Sequence, residues 1–83
     1  MPKERKYNEL TALKGKIREE KSNYQELADH LGIAVNTLHN KINGYTEFKT
    51  AEVSKIVKYY NIPPEEINRY FFPDVLRNAK RND

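Results

Sequence analysis

The chain contains no cysteine and no long hydrophobic run, and both absences narrow its class. Without cysteine it can form no disulfide and few of the usual structural zinc sites, a composition that fits a reducing cytosol. Its longest apolar stretches run two or three residues, so no segment is suited to span a membrane. No apolar stretch follows the basic residues near the N-terminus, so we also expect no secretory signal peptide.

The residue patterns of a catalytic or metal site are missing as well. The three glycines are too scattered for a phosphate-binding loop, and neither serine lies in a nucleophile motif. Glu65-Glu66 fits the first turn of a helix better than a catalytic carboxylate pair. His30 and His39 lie on different predicted helices with no cysteine nearby, which disfavours a metal site. We therefore predict a protein that is not an enzyme and has no cofactor, bound metal or small-molecule substrate.

The 83 residues leave room for one small domain, and the net charge of +3 is only a weak indication of a polyanionic partner. The charge is unevenly placed. Residues 1–21 carry seven basic and four acidic groups, residues 22–66 carry four and six, and residues 67–83 carry four and two. Lys3, Arg5 and Lys6 are either a solubilising tail or an arm that reaches a partner. We expect a flexible basic arm over residues 1–8, a folded domain over 9–72 and a polar tail over 73–83.

Apolar residues at intervals of three and four predict an all-α fold of four or five short helices, and no strand alternation of useful length occurs. The first helix runs from Glu9, although Gly15 indicates either a later start near Leu13 or a close approach by another helix. The second helix spans 24–31, with Asn23 capping its start and Gly32 its end.

Three further helices complete the prediction. The third spans 34–42 and ends at Asn43-Gly44. The fourth spans 51–60 and is capped by Thr50, and the fifth runs from Pro64 to about 72. Phe48 is expected to anchor the intervening loop in the core, and the tail has a candidate turn at residues 75–76.

A helix-turn-helix arrangement is indicated where the second and third helices meet at a glycine-bearing turn. Residues 23–38 read NYQELADHLGIAVNTL, and this segment resembles the helix-turn-helix of the phage repressor and Cro-like (Xre-type) transcriptional regulators. The resemblance covers roughly residues 10–72 and implies a compact λ-repressor-like DNA-binding domain. Two positions depart from the family pattern. Tyr24 replaces a glutamine that usually touches phosphate, and Ala34 replaces a serine or threonine that usually caps the recognition helix.

The resemblance also implies which residues contact DNA. Val35, Asn36 and Asn40 occupy base-reading positions, where asparagine suits adenine and a valine methyl suits thymine. His39 is an additional candidate for a DNA contact. The positions that contact the DNA backbone in the family are held here by Tyr24, Thr37, Lys41, Asn43, Tyr45 and Lys49.

The function implied is that of a phage or prophage Cro- or repressor-like regulator that binds a pseudo-palindromic double-stranded operator and blocks promoter access. It would act in the bacterial cytoplasm, on the nucleoid, as a homodimer. Aromatic runs at residues 59–60 and 70–72 exceed what so small a core can cover, which suggests self-association through the fifth helix or the tail. The alternative is a protein-interaction module, of the antirepressor or antitoxin kind, that uses the same fold.

Overall fold

The computed structural model describes residues 7–73, and within that range every regular element is helical. Residues 1–6 of the expected arm (1–8) and residues 74–83 of the expected tail (73–83), with the candidate turn at 75–76, lie outside the described residues. A 3₁₀ turn, Pro64–Glu66, leads directly into the last helix. The five α-helices are α1 (Thr11–Glu19), α2 (Tyr24–Leu31), α3 (Val35–Asn43), α4 (Thr50–Tyr60) and α5 (Ile67–Phe71).

The start and end of α2 are set by local chemistry, as the sequence predicts. The Asn23 side-chain oxygen accepts a hydrogen bond from the Glu26 N–H at 2.8 Å, which satisfies one of the unpaired donors of the first turn. At the other end Gly32 adopts a left-handed φ of 74°, a conformation that glycine reaches without steric cost. The turn that follows is short, so α3 begins at once and packs against α2.

Helix α3 has the predicted uncapped start and the predicted glycine stop. Ala34 stands at the N-cap without a side-chain acceptor, and Gly44 ends the helix with φ 93°. The chain before α1 lies beside this end of α3, because the Tyr7 N–H donates to the Gly44 carbonyl and the Leu10 N–H donates to the Ile42 carbonyl, each at 2.9 Å. These bonds satisfy two carbonyls near the end of α3 that would otherwise lack a helical partner.

Four predicted helix starts are corrected. Helix α3 spans Val35–Asn43 where the sequence predicts 34–42, and the predicted start of the fifth helix at Pro64 is a 3₁₀ turn, so α5 itself begins at Ile67. Helix α1 begins at Thr11, neither at Glu9 nor near Leu13, and Gly15 lies inside it with no atom within 4 Å of where a Cβ would stand. The glycine therefore marks neither a late start nor a close helix approach. Helix α4 begins at Thr50 and its N-cap is Lys49, because the Glu52 carboxylate reaches back to accept the Lys49 N–H at 2.9 Å.

The core lies between the four longer helices and includes Tyr70 and Phe71 of α5. Its largest fully buried side chains come one each from α1, α2 and α4 and two from α3: Leu13, Leu27, Ile56, Leu38 and Ile42. Phe48 packs against this core from the loop, and its ring is perpendicular to the Phe71 ring with 5.8 Å between centroids, so it anchors the loop as predicted. The buried face of α3 leaves its opposite face free to point outward.

Candidate nucleic-acid interface

The outward face of α3 is polar and uncharged. Leu38 and Ile42 are fully buried, and at 100° per residue Asn36, Asn40 and Asn43 fall on the opposite side of the helix. Asn36 is exposed and the other two asparagines are half-buried. Three amide side chains thus form a row that can both donate and accept hydrogen bonds.

The other predicted residues of α3 are placed less uniformly. Thr37 and His39 are exposed at the flanks of the asparagine row. Val35 is half-buried and packs against the core, so only part of its side chain is available to a partner. The structure therefore brings Asn36, Thr37 and His39 together on the surface and draws Val35 partly inward.

Tyr24, at the first position of α2, joins this surface through His39. Their ring centroids lie 4.4 Å apart in a tilted arrangement. Burial raises the pKa of the Tyr24 phenol, while the positive charges of Lys14 and Arg18 act in the opposite direction. The hydroxyl consequently stays protonated at neutral pH and can donate a hydrogen bond, for example to a phosphate oxygen.

Lys14 and Arg18 also lie beside this surface, although the sequence did not lead us to predict them as site residues. With Tyr24 and His39 they line a shallow, open depression where α1 lies beside the start of α2 and the middle of α3. Lys14 is paired with Glu9, whereas Arg18 is exposed and forms no ion pair with any residue in the range 7–73. The two residues are four positions apart, which puts two basic groups on one face of α1. This spacing could have identified them from the sequence.

The Lys41 side chain is paired with groups of the protein itself. Its side chain is only 8% exposed, and its Nζ lies 3.0 Å from Glu52 Oε1 and 3.0 Å from the Glu47 carbonyl oxygen. Burial favours the neutral form of Glu52, but the Lys49 N–H and the Lys41 ammonium outweigh this effect and hold the pKa of Glu52 below its ordinary value of 4.5. We therefore leave Lys41 out of the set of surface cations.

The loop at residues 45–49 follows the C-terminal end of α3. The N–H groups of Tyr45 and Thr46 both donate to the Asn40 carbonyl, at 2.9 and 3.3 Å, so the chain turns tightly beside the asparagine row. Tyr45 is half-buried and Lys49 is exposed. Lys49 is thus the predicted backbone-contacting residue that carries an accessible charge.

Aromatic side chains are exposed at two separate places. Phe72 is 42% exposed and stands at the rim of an apolar cavity of about 130 Å³, which Tyr7, Leu10, Phe48 and Phe71 also line. Elsewhere Tyr59, 39% exposed, stacks on His30 with 4.3 Å between ring centroids. The neighbouring Tyr60, Tyr70 and Phe71 are buried, so each aromatic run is divided between core and surface as its spacing predicts.

Residues 7–73 contain no group of three or more histidine or acidic side chains arranged to hold a metal ion. No helix in the same range has both the length and the apolar character needed to cross a bilayer.

Comparison with known proteins adds a family without adding an activity. No curated protein matches the chain. One family model matches residues 7–74, which is most of the sequence and includes all five α-helices. The chain belongs to this family, whose description is "protein of unknown function (DUF739)".

Proposed function

We propose that this protein is a sequence-specific double-stranded DNA-binding regulator of the phage Cro or repressor kind, acting in the bacterial cytoplasm by occupying an operator. The observation that carries the proposal is the outward asparagine row of α3, placed next to α2 by the Gly32 turn. Asparagine is a poor helix former, so three on one face are unfavourable without a compensating role. In a helix-turn-helix protein the second helix enters the major groove, where an asparagine amide can bond adenine N6 and N7 together.

The proposed interface contains two kinds of residue, those that read bases and those that contact the DNA backbone. Asn36 and Asn40 read bases, with Val35 contributing its exposed portion and His39 a flanking contact. Backbone contacts come from Tyr24, Thr37, Asn43, Tyr45 and Lys49, to which Arg18 is added. Lys41 is assigned to the interior because both of its hydrogen-bonding partners belong to the protein.

Selection from a random duplex library, followed by gel shift at several salt concentrations, tests the base-reading assignment. Asn40→Ala and Asn36→Ala should each lose about 1–3 kcal/mol of discrimination at one base pair, with A·T the preferred pair. Asn68→Ala is the matched control, since Asn68 is exposed on α5, away from the row. An unchanged base preference in the α3 variants would overturn the assignment.

A second experiment tests the source of electrostatic attraction. Neutralising Lys49 should weaken binding to all sequences and flatten the dependence of log affinity on log salt by about 0.9 for each phosphate that is no longer neutralised. Lys55, exposed on α4, is the matched control cation. Neutralising Lys3, Arg5 and Lys6 tests the arm in the same way, because Tyr7 is bonded to the end of α3 and the arm therefore starts beside the proposed interface.

We further propose that two copies associate about a twofold axis through the Phe72 surface, as a pseudo-palindromic operator requires. The apolar cavity beside Phe72 supports this proposal, because it is open at the surface and places the exposed Phe72 ring next to further apolar side chains that a second copy can cover. Sedimentation of Phe72→Ala should show weaker self-association than the wild type, whereas Tyr59→Ala should leave it unchanged. Equal dimer constants for Phe72→Ala and the wild type would contradict this interface.

The same cavity supports a second function, that of a protein-interaction module. Saturable, sequence-dependent retardation of duplex DNA favours the regulator. Its absence, combined with no difference between Asn40→Ala and the wild type, favours the module.

A further inference from the structure

The Lys41–Glu52 pair connects α3, the following loop and α4 at one buried point. The two side chains are 8% and 12% exposed, and Nζ and Oε1 lie 3.0 Å apart. The same Glu52 oxygen accepts the Lys49 N–H at 2.9 Å, and the Lys41 ammonium also donates to the Glu47 carbonyl. One cation and one anion therefore bind backbone groups at two ends of a three-residue segment.

That segment, residues 47–49, is held by charged groups at its two ends, in addition to the apolar contact of Phe48 with the core. Between the two backbone bonds, the Phe48 ring lies 5.9 Å from Lys41 Nζ. Hydrogen bonds to ionised groups are stronger than neutral ones, especially where water is excluded. Removing either partner leaves the other charge buried and unpaired, so the loop must rearrange or open to solvent.

We propose that Lys41 and Glu52 are positioning residues for DNA binding, which fix the 45–49 loop against α3 so that Tyr45 and Lys49 meet the same DNA backbone as the helix. The inference rests on the proposed function and deepens it. It reverses the role that the sequence suggests for Lys41, from a phosphate contact to an internal support. It also gives an acidic residue, Glu52, a positive effect on binding to a polyanion.

The decisive test is whether removing the Glu52 carboxylate weakens or strengthens binding to DNA. Electrostatics alone predicts that removing a negative charge strengthens binding to DNA. Positioning predicts the opposite: Glu52→Met should bind at least about threefold more weakly, in the range expected for groups coupled in one network. Glu47→Met is the matched control, because it removes an exposed carboxylate from the same loop and leaves the Glu47 carbonyl in place. It should bind as tightly as the wild type or more tightly.

Both variants are compared by fluorescence anisotropy on the selected operator, at a temperature where circular dichroism shows each to be folded. Glu52→Gln keeps an acceptor oxygen and should recover part of the affinity. This conservative variant also supplies the comparison if Glu52→Met does not fold. Equal or tighter binding by the Glu52 variants, relative to Glu47→Met, would overturn the proposal.

A double-mutant cycle separates support from direct contact at Lys41. If Lys41 acts through Lys49, Lys41→Met should weaken binding in the wild type and have a much smaller effect in the Lys49→Gln background. In the Lys49→Gln background, Lys41→Met should leave the dependence of log affinity on log salt unchanged. A further fall of the slope by about 0.9, with additive reductions in affinity, would identify Lys41 as a phosphate contact and refute the positioning role.

Failure of this inference and failure of the proposed function give different results. If the wild type shows no sequence-dependent DNA binding, both are overturned. In that case thermal unfolding of the free Lys41→Met, Glu52→Met and double variants would still show non-additive effects, as expected for a purely structural pair. If the wild type binds its operator and Glu52→Met matches Glu47→Met, the positioning role alone is refuted.

Discussion

Replacing Gly15 or Gly32 by alanine should change the free energy of unfolding in opposite directions. Gly15 lies in the middle of α1 and is exposed, whereas Gly32 ends α2 with φ 74°. At both positions an added Cβ would meet no atom within 4 Å apart from its chain neighbours and, at Gly15, the backbone of its own helix. Since neither site is crowded, an alanine at each reports the backbone conformation and little else.

The magnitudes follow from those two conformations. Gly15→Ala removes a helix-interior glycine and should stabilise the protein by about 0.5–1 kcal/mol. Gly32→Ala forces a Cβ into the left-handed region, at a cost of about 1–2 kcal/mol that a less flexible unfolded chain offsets only in part. For a domain of this size, about 1 kcal/mol moves the melting temperature by about 4–8 °C.

Thermal unfolding followed by circular dichroism measures both shifts. Gly15→Ala should raise the melting temperature and Gly32→Ala should lower it. If both variants move in the same direction, or if Gly15→Ala is destabilising, then the conformation of one of these glycines differs from the one described.

Other expected outcomes concern helix caps and acid stability. Asn23→Ala removes the acceptor for the Glu26 N–H and should cost about 1 kcal/mol in urea unfolding, while the exposed Asn68→Ala should change little. Ala34→Ser supplies the missing cap oxygen of α3, where the backbone is already extended, and should add about 1 kcal/mol; a decrease would contradict that geometry. Because the pKa of Glu52 is lowered on folding, its contribution is complete above the ordinary value of 4.5 and is lost as pH falls through the folded value. Wild-type stability should therefore fall more steeply than that of Glu52→Gln as the pH is lowered through and below 4.5, and parallel curves would refute this.

Helix boundaries could be predicted from the sequence where their chemistry is local. Asn23 and Gly32 set the two ends of α2, and both act within three or four residues of the chain. The start of α1 could not be predicted in this way. The Leu10 N–H is bonded to the Ile42 carbonyl, so the point at which α1 begins depends on a segment more than thirty residues further along.

The same distinction between local and distant contacts applies to the candidate site. The asparagine row follows from helical periodicity alone, and the structure keeps it on the outward face of α3. The burial of Lys41 does not follow from periodicity, because its partner Glu52 lies eleven positions away on another helix and reaches it only after the loop has turned. Spacing identifies which residues share a face, but it does not show which charges are already paired.

With Lys41 paired internally, α3 has no charged side chain left for its outward face. If the protein binds DNA as proposed, electrostatic attraction must come from cations that flank the helix, such as Arg18 before α2 and Lys49 after α3. Sequence reading would then depend on uncharged amides, whose hydrogen bonds distinguish bases without adding to non-specific affinity. Such a division favours specificity over strength, because a neutral recognition helix gains little from contact with the wrong sequence. The modest net charge of the chain is consistent with this requirement, since a few well-placed flanking cations suffice.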